Sequence, residues 1–285
     1  MELRQLKKGE KIMKKFMAVT LAAVAALTTV CLASCGGKND NTKYVANKIA
    51  GVEVEQYGFA VGKNSSKKEE ILAAMNKVIA ATDIDTAVKY YTSVSKDEAP
   101  SVTLEFADLS DNTAGTLNVY TCSGFEPYEF IDANENVIGV DIYLMELVAE
   151  ELNMKISVND MDFDGIVGKV ASEDNAIGAA GITINDDRKQ SVDFSDPYFD
   201  STQCIISKDS EAYTQLSQLA GKKIGVQKGT TGYLMVADAI ENGELKGTGA
   251  SIVEYDTGAV AFTALKQGKI DFVVIDELPA QKLVS

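Results

Sequence analysis

From residue 117 onward the chain alternates short β-rich runs with amphipathic helical stretches, and this alternation constrains the fold more than any other feature. The β-rich runs lie at 117–121, 155–159, 177–182, 204–207, 223–226, 252–255 and 272–275. Between them, Ile142, Met145, Val148 and Leu152 form one apolar stripe. Phe163, Ile166, Val167 and Val170 form a second, and Val260, Ala264 and Leu265, closed by Gly268, a third. The order implies an α/β fold with largely parallel sheets and crossover helices. Every apolar residue of those stripes except Phe163 is expected in the core. In open α/β sheets, ligands sit beyond the carboxyl ends of the strands, where helix N-termini offer free N–H groups. Functional residues are therefore sought at strand ends.

Composition removes several classes of chemistry. The 285 residues contain no histidine and no tryptophan, so the commonest metal ligand and the commonest general base are missing. No metal site, cofactor or catalytic residue is expected. The net charge is −15. Residues 1–34 hold six Lys/Arg against two Asp/Glu, so a chain beginning at Cys35 carries 27 − 6 = 21 cations against 42 − 2 = 40 anions, or −19. Nucleic acid is a poor partner for such a surface, because binding it depends on Lys and Arg at phosphates. The cysteines at 31, 35, 122 and 204 have no CxxC spacing and imply no disulfide framework.

The first 34 residues read as an export signal. Lys7, Lys8, Lys11, Lys14 and Lys15 precede a chargeless run over 16–37 rich in Ala, Val, Leu and Thr. The run ends in Leu32-Ala33-Ser34-Cys35-Gly36, which resembles the lipobox of bacterial lipoproteins. That resemblance implies acylation of Cys35, cleavage before it, and anchoring to the membrane on the outer face of the cell. The alternative is an uncleaved membrane-spanning helix, against which the small residues before Cys35 weigh. Residues 35–44 are then a polar tether.

Several motifs fall between the runs. They are Phe125-Glu126-Pro127-Tyr128-Glu129-Phe130, Gly139-Val140-Asp141, Phe163-Asp164-Gly165, Gly181-Ile182-Thr183-Ile184-Asn185-Asp186-Asp187-Arg188, Val192-Asp193-Phe194-Ser195-Asp196-Pro197-Tyr198, Lys228-Gly229-Thr230-Thr231 and Val274-Ile275-Asp276-Glu277. Together they resemble the amino-acid-binding proteins that serve ABC transporters, solute-binding protein family 3. The resemblance covers about residues 117–285. It implies a two-lobed periplasmic-binding-protein-like fold of type II, with lobes joined by two hinge strands and closing on a free amino acid. The implied partners are that amino acid, a membrane permease, and the membrane through Cys35. A monomer is expected.

Residue chemistry agrees with the roles implied. Arg188 presents a planar fork suited to a carboxylate; taken alone, it would read as a surface ion pair with Asp186 or Asp187. Thr231, in a turn opening a helix, would complete the carboxylate site with backbone N–H groups. Thr183 offers a hydroxyl, Gly181 a carbonyl, and Asp276 an acceptor for an ammonium group, unless Asp276 serves only as a helix cap. Phe125 and Phe163 would sandwich the ligand's side chain. Cys122 stands where family members for polar ligands often carry Asp, which points to a neutral or polar amino acid. Gly168 and Ala176 replace a Pro and an Asp common in the family.

Family members continue past the equivalent of Asp276 through a returning hinge strand and terminal helices. Here Gln56-Tyr57-Gly58-Phe59-Ala60-Val61-Gly62 resembles that hinge strand, and Ile71, Leu72, Met75, Val78 and Ile79 make a helix like the one after it. A circularly permuted order is therefore expected, the rival being a fragment of a tandem protein. Lobe 1 would hold 58–199, with 96–115 as the permutation linker, and lobe 2 would hold 200–285 plus 45–57. Two other functions fit the same motifs: a sensor without a permease, or a dehydratase-like enzyme whose acid or base would be Glu126, Glu129 or Asp276.

Overall fold

The computed structural model of the chain describes residues 42–96, 98–208 and 212–285. The export signal over 1–34, Cys35 and the tether up to residue 41 lie outside the described residues. Residues 43–285 form one compact unit built on two five-stranded sheets.

The first sheet has the order β7-β4-β8-β3-β9: β7 is Lys155–Asp160, β4 Thr116–Thr121, β8 Ala176–Gly178, β3 Ala60–Gly62 and β9 Val192–Phe194. β4 runs parallel to both β7 and β8, whereas β3 runs antiparallel to β8 and β9. Successive side chains alternate faces. Phe59 and Val61 point into the core shared with helices α1 (Lys68–Ala81) and α3 (Val140–Glu151), while Ala60 packs with Ile166 and Val170 of α4 (Phe163–Ser172).

The second sheet has the order β1-β11-β14-β12-β13: β1 is Tyr44–Lys48, β11 Gln203–Lys208, β14 Phe272–Asp276, β12 Lys223–Gln227 and β13 Ser251–Tyr255. β12 is parallel to β13 and β14; β11 and β1 continue antiparallel. Ile205, Ile224, Val226 and Val274 face α6 (Thr231–Glu241), and Ile206, Val273 and Ile275 share the opposite core with α7 (Gly258–Lys266) and α8 (Glu277–Val284). Tyr44, expected to end the tether, already pairs with Lys208 in β1.

Between the sheets runs a two-stranded antiparallel ribbon, β2 (Glu55–Tyr57) on β10 (Phe199–Ser201). A short hairpin, β5 (Phe130–Ile131) and β6 (Val137–Ile138), precedes α3. Gly139 caps α3 at φ 140°, where a Cβ would stand 2.1 Å from the Tyr128 carbonyl oxygen, so no other residue fits. Helix α2 (Ile84–Val94) packs on α3. The segment over 98–115 then crosses α3 irregularly, where the Asn112 amide donates to the carbonyls of Ala149 and Met154.

Two expectations are corrected. Val260 is 51% exposed: the buried arc of α7 runs through Gly258, Ala261, Phe262 and Leu265, an i, i+3, i+4, i+7 stripe that leaves Val260 outside it. The run at 177–182 is a strand only to Gly178. Beyond it the chain turns at Gly181 (φ 52°), whose N–H is caught by Asp141 Oδ2 at 2.9 Å.

Candidate functional site

The carboxyl ends of both sheets meet at a cavity lined by residues that include Phe125, Phe163, Gly181, Thr183, Arg188, Thr231 and Asp276. Of the expected ligand contacts, seven are thus brought together. The eighth, Cys122, is not in the lining. It is 5% exposed, and its sulfur accepts from the Gln227 amide at 3.6 Å. Burial pushes its thiol up to about 11, so it stays neutral and acts behind the wall.

Arg188 sits on a one-turn helix, α5 (Asp186–Lys189), capped by Asn185, whose side-chain oxygen accepts from Arg188 N at 2.9 Å. The cap turns the guanidinium inward. Its two terminal nitrogens donate to the carbonyls of Thr183 (2.7 Å) and Gly229 (3.0 Å), which belong to opposite sides of the cavity. Asp186 pairs with Lys189 instead, at 3.6 Å. The guanidinium also lies over the Phe163 ring, 5.3 Å from its centre, a cation–π contact that holds both groups in place. Burial lowers the Arg188 pKa from its ordinary value, but a guanidinium remains charged.

Thr231 opens α6. The helix is capped by the Thr230 hydroxyl, which accepts from Tyr233 N at 3.2 Å, and Thr230 and Thr231 both line the cavity, where the start of a helix favours an anion. Gly181 is fixed from behind by Asp141, which accepts from the Tyr198 hydroxyl at 2.7 Å as well as from Gly181 N. A Cβ at Gly181 would meet the Phe125 ring at 2.6 Å. This turn therefore presents backbone to the cavity with an aromatic wall behind it. Burial pushes the Asp141 carboxyl up to about 7, against those two donors.

Asp276 stands at the end of β14 and N-caps α8, yet its side chain makes no capping hydrogen bond. It accepts instead from the ribbon: Tyr57 Oη at 2.5 Å and Ser201 Oγ at 3.3 Å. Burial first, and the neighbouring Glu55 carboxylate second, push it up to about 6.

Two acids were not assigned here from the sequence. Glu129 is 1% exposed, lines the cavity, and its Oε2 has no hydrogen-bond partner among the described residues. Burial, then Asp141, holds its carboxyl well above the ordinary range. Glu55, on the ribbon, reaches Thr183 and Thr231 with one carboxylate oxygen. Glu129 lies inside the Phe125–Phe130 motif, where the sequence suggests only an enzymatic acid; Glu55 lies just before the hinge-strand motif, with no signal in its neighbours.

The cavity lining thus holds a cation (Arg188), the start of a helix (Thr230 and Thr231), a buried aspartate (Asp276) and two aromatic rings (Phe125 and Phe163), groups that can together hold a small molecule bearing both charges. The family model for bacterial extracellular solute-binding proteins, family 3, matches residues 117–255. An ancestral arginine-binding protein solved with arginine is 38% identical with a TM-score of 0.56, covering 60% of this chain and 74% of that one. The ABC transporter arginine-binding protein 1 of Escherichia coli (strain K12) is 28% identical over 165 residues, 58% of this chain and 65% of its own length. The arginine-binding extracellular protein ArtP of Bacillus subtilis (strain 168) is 33% identical over 121 residues, 42% of this chain and 47% of its own. The chain thus spans less than two thirds of the length of these curated relatives. It belongs to the extracellular solute-binding proteins of family 3, whose solved neighbours are two-lobed amino-acid-binding proteins. No helix among the described residues is long and apolar enough to cross a membrane.

Proposed function

We propose that this chain is an extracytoplasmic binding protein, anchored through a lipid on Cys35, that closes on one free amino acid and passes it to an ABC transporter permease without covalent chemistry. The observation that carries the reading is the gathering of Arg188, Asp276, Thr183, Gly181 and the start of α6 around one cavity. Arg188, the Thr183 hydroxyl and the first turn of α6 take the α-carboxylate; Asp276 and the Gly181 carbonyl take the α-ammonium; Phe125 and Phe163 flank the side chain. Charge-assisted hydrogen bonds in such a closed site contribute about 1.5–3 kcal/mol each.

For the side chain, the cavity favours a cation over the neutral group expected from Cys122. Cys122 is off the lining, whereas Glu129 turns an unpartnered carboxyl oxygen to the buried interior beside it. A guanidinium or imidazolium placed there would ionise Glu129 and satisfy it. That two similar proteins are named arginine-binding supports the same choice.

The sheet membership supports a two-lobe division. The first sheet takes strands from 60–62 and 116–194, and the second from 44–48 and 203–276. Packing of β3 and α1 onto 116–194 supports the permuted order, with 96–115 as linker.

The test is isothermal titration with arginine, histidine and glutamine, on the wild type and on Glu129→Gln. Arginine should bind most tightly to the wild type. The substitution should weaken arginine by about 1.5–3 kcal/mol and leave glutamine within a few tenths. Equal losses for both would remove Glu129 from side-chain recognition, and no binding by any free amino acid would refute the reading.

A further inference from the structure

Glu55 is not among the residues that the amino-acid reading needs and is not in the cavity lining, yet its carboxylate holds the hydroxyls of two residues that are, Thr183 and Thr231. Its Oε2 accepts from the Thr231 hydroxyl at 2.5 Å and from the Thr183 hydroxyl at 2.8 Å. Its Oε1 accepts from the Gln203 amide at 3.2 Å. Thr183 follows the first sheet's β8 and Thr231 follows the second sheet's β12, so a single carboxylate oxygen bridges the two sides. Glu55 itself comes from neither side: it sits on β2, in the ribbon that joins them. Its charge is close enough to act on both Arg188 and Asp276.

The geometry points to Glu55 as a built-in occupant of the anion cradle, a side-chain carboxylate that an incoming carboxylate ligand must displace. The inference rests on the amino-acid reading above and adds how the same site is regulated. A carboxylate can satisfy two hydroxyl donors and an amide donor, and charge-assisted contacts of this kind are the strong ones. With Glu55 in place, the two threonines are held to each other across the cavity, and Arg188 spends its fork on the carbonyls of Thr183 and Gly229. Ligand entry then exchanges one carboxylate for another instead of filling bare donors. Two consequences follow. Affinity is held below what the donors alone would give, because a ligand binds only the fraction of molecules whose cradle is free. Closure is also partly populated without ligand, because Glu55 supplies the cross-cavity contacts that a ligand would otherwise bring. The ribbon is the right place for such a residue, since β2 and β10 lie between the two sheets and the ribbon's own Tyr57 and Ser201 already hold Asp276.

The experiment uses the full-length chain and two variants, Glu55→Gln and Glu55→Ala, with two readouts. The first is affinity for arginine and glutamine by titration. Glu55→Ala should bind tenfold or more tightly than the wild type, and Glu55→Gln, which keeps an oxygen acceptor without the charge, should fall between them. Weaker binding would overturn the proposal and make Glu55 a partner of the ligand's cationic groups, and unchanged affinity would overturn it too. The second readout is hydrogen exchange without ligand in peptides over 182–188 and 229–234. Both variants should exchange several-fold faster there; exchange equal to wild type would overturn the proposal. If none of the three proteins binds an amino acid, the amino-acid reading falls, and the Glu55 proposal is then decided by exchange alone.

Discussion

The two sheets share one pattern and are completed in opposite ways. Each has three parallel strands, an antiparallel fourth, and a fifth that runs with the first three: β7-β4-β8, then β3 and β9 in the first, β13-β12-β14, then β11 and β1 in the second. Sequence-remote residues supply one strand to each. In the second sheet the remote strand is β1, at the outer edge, where only one neighbour pairs with it. In the first it is β3, inserted between β8 and β9, with all three of its residues buried. One stretch of chain, 44–62, therefore trims one sheet and holds the other together. The ribbon strand β2 lies between these two contributions in sequence as well as in space.

Substitutions should separate an inserted strand from an edge strand by the largest margin. Phe59, fully buried beside β3, stacks on Tyr198 with ring centres 4.4 Å apart and planes within 3°. Phe59→Ala should cost about 3–5 kcal/mol by urea unfolding. Tyr44 of β1 is half-buried and meets Phe262 edge-on at 5.3 Å. Tyr44→Ala should cost about 1–2 kcal/mol, as fits a partly exposed ring. Similar losses at the two positions would break the comparison and make β1 as integral to its sheet as β3 is to the other.

The two sides also contribute different kinds of group to the site. The first sheet sends a long side chain, Arg188, from a one-turn helix; the second sends a helix end, where Thr231 acts largely through its backbone. Arg188→Ala should therefore weaken amino-acid binding by about 2–5 kcal/mol. Thr231→Ala, which keeps the N–H groups, should weaken it by less than about 1.5 kcal/mol. Titration of both variants with the same ligand checks this. Parity between them would mean that the threonine hydroxyl contributes as much as the guanidinium fork.

The difference between the sides also explains what could be read before the structure was seen. The β-rich runs of both sheets and the stripes of α3 and α4 were legible because they depend on local periodicity. Val260 was misjudged because three apolar residues do not define the angle of a helix face, and the buried arc of α7 passes beside it. The strand at 177–182 was drawn too long because apolar residues continue past the Gly181 turn, which is fixed by Asp141, some forty residues away. Of the contacts expected from the family motifs, all but Cys122 line one cavity, as motifs that fix type and spacing allow. Glu55 has no such motif around it: its contacts depend on how the ribbon threads between Thr183 and Thr231. The burial of Glu129, which leaves one carboxyl oxygen without a partner among the described residues, is equally absent from the sequence, because burial of a strand-flanking glutamate has no local signature.

The smallest expected effect concerns which side of the site titrates. Arg188 stays charged throughout the working range, whereas Asp276, at the end of the second sheet's β14, is pushed up to about 6 by burial and by Glu55. An α-ammonium group needs the carboxylate form, so below pH 6 binding must expel a proton and affinity falls as pH falls. For a ligand with an uncharged side chain, which leaves Glu129 out of the equilibrium, affinity should drop about tenfold between pH 7 and pH 5, or about 1.4 kcal/mol. Stability runs the other way. A carboxyl raised in the folded state favours folding below its unfolded pKa, and that contribution is lost as pH rises through about 6. Asp276 therefore makes the free protein gain from acidification while the complex loses from it. Titration of Asp276→Asn across the same range separates the causes: a flat profile assigns the slope to Asp276. A persisting slope would assign it to the first sheet's side, where Asp141, held at about 7, fixes the Gly181 turn.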